Sequence, residues 1–273
     1  SLALLTRGGS DLGGGVMQNA TGRPIFNRPD DLVFPGTRKG TGVTGANDAA
    51  LFHSNGGGLP NVVLAEGDSP TQTDGAAFSR FLEIAQRHTG ANGDLAVAFQ
   101  YKNGPGGVNR SSDSGVLALD HNGDLIGTVF DENHNDLASM PGVFWGQFAP
   151  RVSKTGSKMA WTAFLLDGGV TAANNQGLFS YRPGVGDEEL LARKGNALPG
   201  GTISTIVAEA INGDNETAFR AALTNAPKSE NEALVFDGAT VWNKGDLVSN
   251  FDNAVPVGVR IVRLLKFWPI AGN

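Results

Sequence analysis

Apolar residues along this chain come in short bursts, broken by clusters of Gly, Asn and Asp. Where a burst can be phased, its period is two. Phe219, Ala221 and Leu223 alternate with Ala218, Arg220 and Ala222, the pattern of a half-buried strand. The bursts also recur. "NGDLAVAF" (92–99), "KTGSKMAW" (154–161) and "NGDNETAF" (212–219) share one spacing, with glycines at Gly93, Gly156 and Gly213, intervals of 63 and 57. "VVLAEGD" (62–68), "LLARKGN" (190–196) and "TVWNKGD" (240–246) share a second motif, which "LLTRGGS" (4–10) also fits and "TVFDENHND" (128–136) carries in degenerate form. A third element is a short apolar strand at 50–52, 115–119, 177–181 and 233–237. Gly-led apolar stretches begin at Gly75, Gly142 and Gly201.

These elements predict a unit of about 60 residues with four strands in fixed order. We label them A (as in LLARKG), B (GTISTIVAEA), C (NETAFRAAL) and D (EALVFDG). "FDGATVW" reads as a tight D-to-A hairpin turning on Asp-Gly. "FSRFLEIAQRH" (78–88) has some helical spacing, but its equivalents are rich in Gly and β-branched residues, so it is read as a strand. Phe99, Trp161 and Phe219 are expected to be one core side chain in three copies, because a four-stranded unit buries its face only against its neighbour. The fold class that follows is all-β, most simply a β-propeller of about five blades with the last incomplete. A solenoid-like array and a two-sheet sandwich are the alternatives. The domain reading is a single β-repeat domain, 1–273, with repeats near 1–61, 62–127, 128–189 and 190–239 and a partial one at 240–273.

Composition agrees: Gly is 39 of 273 residues, a surplus that means many turns. The formal charge of −6 argues against a nucleic-acid partner, which needs a basic footprint. The absence of Cys removes disulfides, thiolate catalysis and Cys-ligated zinc. No apolar run is long enough for a transmembrane segment, and residues 1–10 do not read as an export signal.

The order "LLARKGN", "INGDNETAFRAAL", "ALVFDG" resembles that of bacterial secreted proteins built from tandem N-x-x-G-x-x-A-F-x-A repeats. The resemblance covers most of the chain, with degenerate copies at 10–50 and from 128. It implies a β-repeat fold and an extracellular or cell-surface location. It implies no reaction.

Candidate chemistry is sparse. Asp120, Asn122 and Asp124 lie at alternate positions, and Asp131, Asn133 and Asn135 repeat the spacing. Such oxygens can converge on calcium, the candidate cofactor, although turn-forming residues are expected in a D-to-A connection anyway. His121 and His134 could meet across the same hairpin and hold a transition metal. Neither a nucleophile elbow nor a phosphate loop occurs. Glu66, Asp68, Glu83, Asp94 and Asp131 are the carboxylates considered for glycoside hydrolysis, which needs a pair. Trp145 and Trp268, each next to a Phe, are candidate stacking residues for a carbohydrate.

Three functions remain in view. The first is a non-catalytic surface protein that binds a glycan or another protein. The second is a propeller-type polysaccharide lyase or glycoside hydrolase, whose site would gather residues that break the repeat. The third is edge-to-edge self-association through the chain's ends, including the apolar "VGVRIVRLLKFWPI" (257–270).

Overall fold

The computed structural model describes residues 16–21, 24–28, 31–54, 59–86, 95–110, 112–120, 124–132, 136–149, 152–155, 157–211, 215–248, 256 and 258–264. Among the described residues the regular structure is strand, apart from one 3-10 turn at Pro105–Gly107. Among the described residues no helix is long and apolar enough to cross a membrane. The described strands form four antiparallel sheets that follow one another along the chain, as propeller blades do. Sheet 1 holds β1 (Val16–Ala20), β2 (Ile25–Arg28), β3 (Asp31–Lys39), β4 (Ala49–Ser54) and β5 (Asn61–Ala65). Sheet 2 holds β6 (Phe78–Gln86), β7 (Leu95–Tyr101), β8 (Ser114–Leu119) and β9 (Phe130–Asp131). Sheet 3 holds β10 (Asp136–Leu137), β11 (Met140–Phe148), β12 (Ser153–Thr155), β13 (Lys158–Asp167), β14 (Gln176–Arg182) and β15 (Val185–Arg193). Sheet 4 holds β16 (Ala197–Leu198), β17 (Gly201–Ile211), β18 (Thr217–Thr224), β19 (Glu232–Phe236) and β20 (Ala239–Asn243).

The repeat is therefore real, but its phase differs from the sequence reading. Strand A closes the sheet before it: β5 pairs β4, β15 pairs β14 and β20 pairs β19. The unit is B-C-D-A. The D-to-A hairpin at Asp237-Gly238 accounts for this, since both residues adopt positive φ (45° and 78°) and fold strand A straight back onto D.

The motif that ends strand A has a local cause. Gly67, Gly195 and Gly245 sit at φ 91°, 91° and 95°, where a side chain is strained. The polar residue that follows reaches back: Asp68, Asn196 and Asp246 accept the N–H of Ala65 (2.6 Å), Arg193 (2.6 Å) and Asn243 (2.7 Å). The chain then crosses to the next sheet through one repeated pair of backbone bonds. Gly67 N–H donates to Phe78 O and Phe78 N–H to Asp68 O, at 2.8 and 2.9 Å. Gly195, Ile203 and Asn196 do the same, and so do Gly245, Ile261 and Asp246. By this criterion Ile261 opens a fifth unit, as the incomplete last repeat predicts.

Neighbouring sheets are latched by side chains on the first residue of strand D. The ladder between β17 and β18 shifts register between Ile206 and Ala208, and Gln176 of sheet 3 takes up Ile206's backbone, accepting its N–H (2.8 Å) and donating to its carbonyl (3.1 Å). Ser114 of sheet 2 accepts Phe148 N–H (3.0 Å), again at a register shift. In sheet 4 the work is divided: Glu232 accepts Leu264 N–H (3.1 Å) and Arg220 donates to Leu264 O. The equivalent residue of sheet 1, Ala49, has no polar group to offer.

Apolar clusters straddle the seams. One joins Val33 and Leu51 of sheet 1 to sheet 2; a second joins Ala96, Val116 and Phe130 of sheet 2 to Trp145, Trp161 and Phe179 of sheet 3; a third joins Leu178 and Ala192 to sheet 4. Phe99, Trp161 and Phe219 are all buried, as expected. They are not one position, however. Trp161 and Phe219 oppose Phe179 and Val235, whereas Phe99 opposes Gly115, two residues further along its strand, where a Cβ on Gly115 would lie 2.6 Å from the Phe99 ring.

Candidate functional site

The connection from strand C to strand D is seven to nine residues in sheets 1, 3 and 4 (40–48, 168–175 and 225–231), but sheet 2 spends twelve residues on it, 102–113. This loop breaks the repeat and is firmly tied. Tyr101 N–H donates to Asp113 O (2.7 Å) and Lys102 N–H to Ala77 O (2.8 Å). Val108 is buried with Phe78, Phe99 and Tyr101. Gly106 (φ 66°) lies so close to the preceding crossing that a Cβ there would sit 2.4 Å from Ala76 N. The backbone of such a loop is held in place before any ligand arrives.

Between this loop, β6, β7 and β11 of the next sheet lies a cleft of about 460 Å³, lined by Ser79, Arg80, Gln100, Tyr101, Lys102, Asn103, Arg110, Asp113 and Gln147. Gln100 fixes its geometry. Its carbonyl accepts Arg80 Nε–H (2.6 Å) and its amide donates to Asp113 Oδ2 (2.5 Å). That orients the guanidinium's terminal N–H groups and leaves the second Asp113 oxygen as an acceptor. Lys102 is engaged, pairing with Glu66 at 3.2 Å and donating to Ala46 O. Two other described clefts are smaller, about 280 Å³ beside Lys158, Glu189 and Asp237, and about 170 Å³ beside Phe78 and Leu125.

Behind the cleft is a buried polar layer. Tyr101 donates its hydroxyl to Asp131 Oδ2 (3.0 Å), and burial together with the Asp131 charge pushes the phenol's pKa far up, so it stays a donor. Glu132 is 1% exposed and accepts from the Ser114 hydroxyl. Burial raises its pKa, the Ser114 hydrogen bond opposes this, and the Asp113 charge adds to it.

The residues marked out in the sequence fall elsewhere. Asp120 Oδ1 accepts Asp124 N–H (2.9 Å), and Asp120 N–H donates to Asp124 O (2.8 Å). Asp131 is on β9 inside the protein, held by Tyr101, apart from the Asp120–Asp124 pair. Asn122, Asn133, Asn135, His121 and His134 lie outside the described residues, as do Asp94 and Trp268. Among the described residues no three His, Asp or Glu side chains gather as a metal site. Trp145 is fully buried, its ring in contact with Phe130, Phe148, Trp161 and Phe179, so stacking on a ligand is corrected to core packing. Asp68 closes a turn and Glu66 pairs Lys102. Arg80, Gln100, Arg110 and Asp113 carried no sequence motif. The signal was the interruption itself, the "KNGPGGVNRSSD" stretch that no other copy contains.

Several solved structures align weakly. An exo-β-1,3-galactanase from Phanerochaete chrysosporium, solved with β-1,3-galactotriose, is 13% identical at TM-score 0.31, covering 85% of this chain and 51% of that one. An α-L-arabinofuranosidase from Lactobacillus brevis is 12% identical at TM-score 0.32, covering 82% and 69%. The chain thus spans about half the length of the galactanase. No curated protein matches the sequence. Residues 1–250 match the family of unknown function DUF7453, and the chain belongs to that family.

Proposed function

We propose that this protein is a non-catalytic binding module, exported to the cell surface, whose sheet 2 cleft takes a saccharide. The observation that carries this reading is the Arg80–Gln100–Asp113 relay on a tied-down loop. Sugar hydroxyls are each donor and acceptor, and they are met by fixed planar side chains that offer both. The cleft presents two amide side chains besides Gln100, those of Asn103 and Gln147, at its wall. Asp113 is the one carboxylate among the described lining residues, whereas general acid–base cleavage of a glycosidic bond uses two facing groups. That favours binding over hydrolysis.

The test is calorimetric titration with a panel of oligosaccharides, beside a reducing-end assay on the same panel. Binding is expected without release of new reducing ends. Asp113→Asn, which keeps the shape and removes the charged acceptor, should weaken binding about tenfold, a loss of about 1.4 kcal/mol. Unchanged affinity in that variant would move the site away from this cleft.

A further inference from the structure

We infer that the saccharide is acidic: the sheet 2 cleft is built for a uronate, a sugar whose C6 is a carboxylate. This deepens the proposed function and rests on it. Three of the four described charged residues lining the cleft are cations, in a chain whose formal charge is −6. An acidic protein that gathers Arg80, Lys102 and Arg110 around one hollow has set a local field opposite to its own. The three are not equivalent. Lys102 is neutralised by Glu66 and bound to Ala46 O, so it supports the loop. Arg80 spends only its Nε–H, on Gln100, and makes no ion pair among the described residues. Arg110 likewise makes none among the described residues and stands on the loop across from Arg80.

Asp113 gives the same answer from the other side. A carboxylate beside two guanidiniums could have cancelled one of them by direct pairing. Here Gln100 stands between Arg80 and Asp113 and bonds to both. The spacing keeps guanidinium N–H groups and a carboxylate oxygen available together. A guanidinium fork matches a carboxylate in two parallel hydrogen bonds. The remaining Asp113 oxygen and the Asn103 and Gln147 amides match ring hydroxyls. A uronate carries both kinds of group on one ring, whereas a neutral sugar leaves the guanidiniums unmatched and an inorganic anion leaves the acceptors unmatched.

The experiment titrates the whole chain with trimers of galacturonate, glucuronate and mannuronate, each beside its neutral carboxyl-methyl ester, and with inorganic phosphate. The expected result is that at least one acid trimer binds tenfold or more tighter than its ester. Arg80→Gln and Arg110→Gln, both exposed positions, should each weaken acid binding more than ester binding, so that the acid-to-ester ratio falls most of the way to one while the thermal midpoint stays unchanged. Acid and ester binding equally would overturn the uronate inference and leave the saccharide reading standing. Phosphate binding as tightly as the trimers, or no trimer binding in either form, would overturn both.

Discussion

Glu132 shows how one buried carboxyl can tune this fold. It is 1% exposed, its raised pKa comes first from burial, and Asp113 adds like charge. A carboxyl whose folded pKa lies above its unfolded value contributes fully below the unfolded value. That contribution is lost as pH rises through the folded value. Ionising Glu132 in the folded protein therefore carries a cost. Glu132→Gln removes the charge but keeps a carbonyl to accept from Ser114. The variant is expected to melt higher than the parent at about pH 8 and to match it at about pH 4. Thermal melts of both proteins across that range check it, and a parallel offset at every pH would show that charge is not the cause. At the same scale, Tyr101 reads in the sequence as one more aromatic. Its role as a fixed donor to Asp131 depends on a residue 30 positions away, which no local pattern discloses.

At the scale of elements, the seams matter more than the ladders. Strand-to-strand pairing satisfies itself, but the register shifts at Phe148 and Ile206 release backbone groups that the preceding sheet meets. Gln176 meets both for Ile206. Gln176→Ala should cost about 2–4 kcal/mol, because two buried backbone groups lose their partner at about 1–3 kcal/mol each, partly relieved by relaxation. Gln176→Glu can still accept the N–H but cannot donate, so it should fall between the two. Sheet 4 needs Arg220 beside Glu232 for that reason. Urea unfolding of the three proteins gives the order, and equal stability of the Ala and Glu variants would rule out the two-bond latch. Strand type was largely legible in the sequence: the period-two alternation of 217–224 reappears as alternating burial, and 78–86 is a strand despite its helical spacing. The latches were not, since Gln, Ser and Glu at equivalent positions share a role and no chemistry that a motif would record.

Across the whole molecule, three of the four apolar clusters among the described residues belong to two sheets, so cooperativity runs from sheet to sheet. Trp145 is the centre of the cluster shared by sheets 2 and 3. Trp145→Ala should destabilise by about 3–5 kcal/mol. Amide exchange should rise in both of those sheets and much less in sheet 1, whose own cluster of Met17, Phe34 and Phe52 is untouched. Exchange confined to sheet 3 would show that the seam does not couple. The candidate cleft is itself a product of this scale, because Gln147 of sheet 3 closes a wall that sheet 2 begins.

The sequence by itself determined the class and the period. Alternation, turn residues and spaced glycines are local demands, and each copy repeats them because each copy must make the same turns. Tertiary structure alone decided where one sheet ends and the next begins, because a cyclic order of four strands has no natural first member until hairpins and crossings are compared. It also decided that Phe99 and Phe219 hold different registers, through the space that Gly115 leaves. And it decided the site. A cleft requires residues from β6, β7, a loop and the next sheet to meet, and convergence in space leaves no periodic trace in the chain that folds to produce it.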